Sequence, residues 1–260
     1  RRGGSKASFT SYNTNDKDRA MDNKELPPIH WSVLLAVAGA KLLFHLLTNV
    51  NYGFHRDEFL YLALGRHPGW VHWSNPPLIG WVSWLVQTVL GDGMFAVRLV
   101  PTLLASALVV LAGLMAREMG GGRPAQLLAA VAVFVSPVYM RAGWLFQPVI
   151  FDIFFWTLFA YLIVRYLNTE RERYLYYLGA TLGLGFLNKY SVAFFILALL
   201  PALLLTPQRS LLRKAAFWKA AALALLVVSP NLIWQYVHKF PVISHMEGLA
   251  RNQLVNVSPV

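Results

Sequence analysis

Residues 51–90 read NYGFHRDEFLYLALGRHPGWVHWSNPPLIGWVSWLVQTVL. The stretch follows directly on a long apolar segment and carries an adjacent acidic pair, Asp57 and Glu58, near its start. Aromatic residues are dense along it, and Pro76-Pro77 interrupts it. Its beginning is too polar to span a bilayer, where charged groups are costly. Its remainder is too apolar for a solvated loop. A re-entrant or interfacial loop with short amphipathic helices on the outer membrane surface satisfies both constraints. The polar chemistry of the chain is expected there.

The rest of the chain supplies the membrane. Hydrophobic residues make up 57% and charged residues 13%, whereas soluble domains carry about 25% charged residues. Several apolar runs approach the ~20 residues needed to cross a hydrocarbon core of about 30 Å. The fold class expected is therefore an all-α polytopic membrane protein, and a soluble domain is excluded. The formal charge of +11 does not point to nucleic acid. The basic residues sit mostly in short loops between apolar runs, where they set orientation. Zero cysteines exclude disulfides and thiolate chemistry.

Residues 1–28 are polar and cannot bury enough apolar surface to fold alone. Met21 followed by DNKELPP reads as a natural start, so residues 1–20 are expected to be non-native and are assigned no role. Residues 29–260 read as one transmembrane domain of about seven spans: 29–50, 94–116, 124–140, 149–167, 174–187, 192–205 and 215–234. The first span is the expected anchor. It contains Lys41 and His45, four apart and so on one face, and both are expected to pack against neighbouring helices. Gly179 and Gly183 have the small-xxx-small spacing that lets helix backbones approach closely, with Gly185 just beyond.

Loop charge favours a cytoplasmic N-terminus, because the loops and span ends after the second, fourth and sixth spans hold nine arginines and lysines against six in the outer segments. That orientation puts Asp57, Glu58, Asp152, Lys189, His238 and His245 on the outer face. Packing alone would scatter polar residues over both faces, whereas an extracytoplasmic site gathers them. Lys189 has a plainer reading as a lysine snorkelling at the end of a span. His238 and His245 have a plainer reading as packed or hydrogen-bonded side chains.

A carboxylate beside a membrane can act as general base on an acceptor hydroxyl or amine. A nearby cation can hold a lipid phosphate and stabilise it as a leaving group. Inverting transfer from a lipid-phosphate sugar needs one base, one phosphate clamp and an apolar groove. It needs no second carboxylate, because phosphate leaves as an anion.

The acidic pair after the first span, the element NPPLIGW at 75–81, the Asp at the outer end of the fourth span and the Lys ending the fifth resemble the GT-C membrane glycosyltransferases. The likeness is greatest to the family-39-like set, which includes the dolichyl-phosphate-mannose protein mannosyltransferases and the bacterial aminoarabinose lipid A transferases. FHRDEFLYLALGRHPGW followed by the Pro-Pro motif is similar to bacterial and archaeal members, and the resemblance runs from about residue 31 to the end. It implies a GT-C helical bundle, a polyprenyl-phosphate sugar donor, an extracytoplasmic acceptor, surrounding membrane lipids and a plasma or inner membrane location.

The resemblance also implies roles. Asp57 matches the catalytic base and Glu58 its acidic neighbour. Asp152 matches the second acidic motif, and Lys189 a lysine near the donor cavity. Asn75, Arg98 and Arg251 join them as donor-binding candidates, and His238 and His245 as metal-contacting candidates. The aminoarabinose transferases carry an acidic residue and then Lys before Pro-Pro, where this chain has Ser74 and Asn75. A divalent cation and the usual phosphate clamp are therefore both left open, and no cofactor is certain. Relatives also continue with more spans and often an extracytoplasmic domain, so the chain is expected to be the N-terminal part of a longer protein. An ion- or proton-coupled transporter or lipid-handling protein is the alternative class. It expects coupling residues near the bilayer midplane in broken helices, not at the rim.

Overall fold

The computed structural model describes residues 26–70 and 75–253. The described residues are helical, with no strand among them. The helices are α1 (Trp31–Thr48), α2 (Arg56–Arg66), α3 (Leu78–Val89), α4 (Met94–Glu118), α5 (Arg123–Val135) and α6 (Pro137–Trp144). They continue with α7 (Pro148–Thr169), α8 (Arg173–Asn188), α9 (Val192–Leu205), a 3-10 turn (Pro207–Arg213), α10 (Ala215–Val237) and α11 (Pro241–Gln253).

Polarity is inverted relative to a water-soluble core. Leu35, Leu43 and Leu47 of α1, Leu197 and Leu204 of α9, and Leu225 and Leu226 of α10 are exposed. Lys41, His45, Asn49, Glu58, Arg98, Gln126, Asn188 and Asn231 are buried. Hydrocarbon outside and polar groups inside is the arrangement a bilayer rewards, and of these buried side chains all but His45 make a hydrogen bond. Four helices (α1, α4, α7 and α10) are long and apolar enough to cross a membrane. The count rises to six if each of two bent helix pairs is one span.

The bends have a local cause. Residues 124–140, expected as one span, are divided at Ser136-Pro137 into α5 and α6, which meet at 60°. Proline lacks an N–H and disfavours the helical conformation in the residue before it. Ser136 is accordingly extended, with φ −62° and ψ 123°. The carbonyls freed at the end of α5 accept from the Lys41 ammonium, at 3.2 Å from Val133 and 3.3 Å from Phe134. Thr206-Pro207 makes the second break, 106° between α9 and the 3-10 turn. The helix expected as the fifth span, α8, has 16 residues, about 24 Å of rise, and falls short of a full crossing by length.

The central helix α4 packs on α1, α5, α6 and α7, while α8 lies between α7 and α10. A Cβ on Gly179 would meet the Ala220 backbone, and one on Gly183 would meet Val227 and the Ala224 carbonyl. The glycine spacing thus brings α8 against α10 as expected. Gly185 faces Phe159 of α7. At one end of the bundle, Glu118 binds Arg117 at 2.7 Å, Arg165 at 2.8 Å and Asn168 at 3.0 Å, fastening the end of α4 to the end of α7. The acidic pair and Lys189 lie at the other end.

Candidate active site

The two members of the acidic pair face different environments. Helix α2 opens on His55, whose ring accepts from the Asp57 N–H at 3.3 Å. The Glu58 carboxylate reaches back to the His55 N–H at 2.8 Å, closing a capping box. Successive helical residues point about 100° apart, so Glu58 turns inward and Asp57 outward. The Glu58 side chain is fully buried, while that of Asp57 is 38% exposed.

Glu58 meets Arg98 of α4 as a two-pronged pair, with Nη2–Oε2 at 2.7 Å and Nε–Oε1 at 3.1 Å. Glu58 Oε1 also accepts the Phe146 N–H at 3.1 Å. Arg98 donates further to the carbonyls of Asn49, Tyr52 at 3.0 Å and Gly53 at 2.8 Å. A guanidinium has five N–H donors, and these partners occupy all five. Arg98 therefore has no donor left for a phosphate. It holds the turn between α1 and α2 against α4.

Asp57 Oδ2 accepts from Gln147 Nε2 at 3.2 Å and lies 3.8 Å from His55 Nδ1. Its Oδ1 accepts from Arg56 at 3.3 Å. Burial and then the Asp57 charge push the Tyr61 phenol above its ordinary range.

Asp152 stands one turn into α7. Its Oδ1 accepts the Ser191 hydroxyl at 2.8 Å and its Oδ2 lies 3.6 Å from the Lys189 ammonium. Lys189 is half-exposed and Asp152 largely covered. Asn188, beside Lys189, donates to the Pro148 carbonyl at 3.1 Å.

Three consecutive residues join these two groups. Phe146 binds Glu58, Gln147 binds Asp57, and Pro148 binds Asn188. The strap between α6 and α7 thus brings the acidic pair and the Lys189–Asp152 pair to one place. An open apolar groove of about 430 Å³ is lined by Pro68, just beyond α2, and by Trp81, Val82, Trp84 and Leu85 of α3.

Asn75 is half-buried at the entrance to α3, and Ser74 lies outside the described residues. Arg251 sits on α11, exposed and 3.8 Å from Glu247. His238 stacks on Trp234 with ring centres 3.9 Å apart, and His245 is half-buried on α11. No group of three or more His, Asp or Glu side chains among the described residues is arranged to hold a metal ion. The described residues give no fit for a divalent cation. Gln147, Ser191, Tyr190 and Asn231 are polar residues of this end that sequence reasoning missed. Being neutral, they give no charge signal against an apolar background.

Residues 74–234 match the family model described as dolichyl-phosphate-mannose-protein mannosyltransferase. The chain belongs to that family. The mannosyltransferase family model spans α3 through most of α10, including Arg98, Asp152 and Lys189. The chain is also 27% identical over 229 residues to the lipid A galacturonosyltransferase RgtD of Rhizobium johnstonii. That match covers 84% of this chain and 46% of the relative, so the chain spans about half the length of the curated relative it matches. No solved structure matches it. Membership of the mannosyltransferase family and the apolar helices make this an all-α, multi-pass membrane protein of the GT-C type.

Proposed function

We propose that the chain is the membrane core of a glycosyltransferase. It moves a sugar from a polyprenyl-phosphate donor to an extracytoplasmic acceptor by inverting direct displacement. The observation that carries this reading is the strap at residues 146–148, which links a half-exposed carboxylate to a half-exposed ammonium. Asp57 is the general base. It takes the proton of the acceptor hydroxyl as that oxygen attacks the anomeric carbon from the face opposite the phosphate. The bond from that carbon to the phosphate oxygen breaks, and polyprenyl phosphate leaves as an anion that Lys189 stabilises. Asp152 and Ser191 hold Lys189 in place. Glu58 and Arg98, whose hydrogen-bonding groups face each other and the backbone, act as positioning residues for Asp57.

The apolar groove beside Trp81 suits a prenyl chain, since such sites are commonly 300–1,000 Å³ and lined by apolar and aromatic side chains. The name of the relative makes a lipid glycan the first acceptor class to try and a uronic acid the first sugar. The site end of the bundle carries fewer basic residues than the Glu118 end, which supports an extracytoplasmic site in a plasma or inner membrane.

The test uses the full-length protein in proteoliposomes with labelled polyprenyl-phosphate sugar and a membrane extract as acceptor source. Asp57→Asn keeps size and removes the base. Transfer by wild type with a loss of about 10²–10⁴-fold in the variant is the expected outcome. Equal transfer by both removes Asp57 as base. No transfer by either, with ion-coupled uptake instead, would favour a transporter.

A further inference from the structure

A second hydrogen-bonded path reaches the Lys189 loop from the side of α10, and the proposed reaction leaves it without a role. Gln235 Nε2 donates to the Tyr190 hydroxyl at 3.1 Å. The Tyr190 hydroxyl donates to Asn231 Oδ1 at 3.2 Å. Asn231 Nδ2 donates to the Trp70 carbonyl at 3.4 Å. Every donor points the same way along the chain, an arrangement in which each bond polarises the next. Asn231 is fully buried and Gln235 nearly so. Burial raises the Tyr190 phenol above its ordinary range, which keeps its proton in place to donate.

Buried amides are costly in an apolar helix unless paired. Asn231 and Gln235 lie four apart on α10, on one face. They are not needed to close α10 on α8, because Gly179 and Gly183 do that further along the helices. What they join is specific at both ends. Tyr190 stands between Lys189 and Ser191, the two residues that hold Asp152. Trp70 ends the described part of the segment that follows α2. The Trp70 ring meets Trp81 edge-on at 5.2 Å, and Trp81 Nε1 donates to the Gly69 carbonyl at 2.8 Å. Gly69 and Trp70 line a second pocket of about 390 Å³, which shares Pro68 and Trp81 with the apolar groove, and this adjoining wall is held by α3 on one side and by α10 on the other.

We infer that Tyr190, Asn231 and Gln235 are positioning residues that couple Trp70, which backs the prenyl-binding groove through Trp81, to the phosphate clamp at Lys189. The chain and the phosphate of one donor are then sensed together, and a donor with too short a chain is bound without the full help of Lys189. The inference rests on the donor class proposed above.

Tyr190→Phe removes one hydroxyl and keeps the ring, so it breaks the path with least disturbance. Donor KM and kcat are measured in proteoliposomes for a long-chain polyprenyl-phosphate sugar and for the same sugar on a chain of one or two prenyl units. For the long-chain donor, the variant is expected to raise KM about 3- to 10-fold, the weight of one hydrogen bond, with kcat nearly unchanged. The wild-type preference for the long chain narrows by the same factor. Unchanged KM, or an equal rise for both donors, overturns the coupling while leaving glycosyl transfer standing. Binding of the sugar-free long and short polyprenyl phosphates, read by mass spectrometry of the detergent-solubilised protein, makes the same comparison without turnover. If wild type transfers no sugar yet its chain-length preference in binding narrows in Tyr190→Phe, the proposed reaction falls and the coupling stands. If wild type shows no chain-length preference in binding, the coupling falls.

Discussion

Asp57 and Glu58 are neighbours with opposite fates. Asp57 meets water and Gln147, whereas Glu58 is sealed against Arg98, 40 residues away in sequence. Removing one partner of a buried ion pair costs about 3–5 kcal/mol, because the other charge is left uncompensated. Glu58→Gln and Arg98→Met are each expected to lower stability by about that amount, measured by thermal unfolding in detergent. The double variant Glu58→Met/Arg98→Met is expected to cost clearly less than the two single changes added together. Additive costs would show that the pair does not act as a unit. Arg98→Lys is expected to fall short of restoring stability, since a lysine offers three donors where five are in use. The resemblance named Asp57 as base, Glu58 as its neighbour and Arg98 as a donor-binding candidate, but the sequence did not show that Glu58 and Arg98 pair with each other. Which way a carboxylate points depends on helix phase. The carbonyls of residues 49, 52 and 53 that engage Arg98 leave no trace in side-chain identity.

Among the elements, the glycine pair was readable because it works by spacing. Gly179→Leu is expected to force α8 off α10 and lower stability by at least about 1–3 kcal/mol, the usual cost of overpacking. Gly39→Leu, where nothing lies within 4 Å of the added carbon, is the control and is expected to leave the melting temperature unchanged. Equal effects at both sites would show that the close approach of α8 and α10 is not what the glycines provide. The break at Pro137 was visible as a proline, yet 124–140 reads as one span by hydropathy, whereas the span read at 192–205 stops before Pro207, where α9 ends. Hydropathy counts apolar residues and carries no direction, whereas proline acts on the backbone of the residue before it. The shortness of α8 was legible, since the span read at 174–187 is itself below the length of a full crossing.

At the scale of the molecule, the two ends differ in chemistry. One carries Asp57, Asp152, Lys189 and the aromatic groove, and the other carries Glu118 with Arg117 and Arg165. The alternation of spans was enough to sort these residues between the two ends, whereas which end faces out rests on loop charge alone. These 260 residues hold no cysteine, so the chain expressed by itself gives a clean test of which end faces out. Single variants Arg66→Cys and Arg171→Cys place a thiol at exposed positions of opposite ends. In intact cells a membrane-impermeant maleimide is expected to label the first and to reach the second only after permeabilisation. The reverse pattern would put the proposed active site in the cytoplasm and remove the extracytoplasmic acceptor. Membership of the mannosyltransferase family was legible from the same residues that the strap gathers, while the amides that tie them together were not.

The Lys41 ammonium bound to the broken end of α5 also bears on how the protein is made. A lysine within a span costs about 2.5–3.5 kcal/mol on insertion, and its acceptors lie 92 and 93 residues further along the chain. The ribosome therefore delivers the first span before anything exists to satisfy it. The early chain crosses the membrane at a disadvantage and is secured only after the carbonyls of Val133 and Phe134 arrive. Lys41→Leu is accordingly expected to improve membrane integration of a nascent chain ending before α5, scored by glycosylation mapping, and to lower the melting temperature of the finished protein. Nascent-chain maturation and final stability would then pull on this one residue in opposite directions.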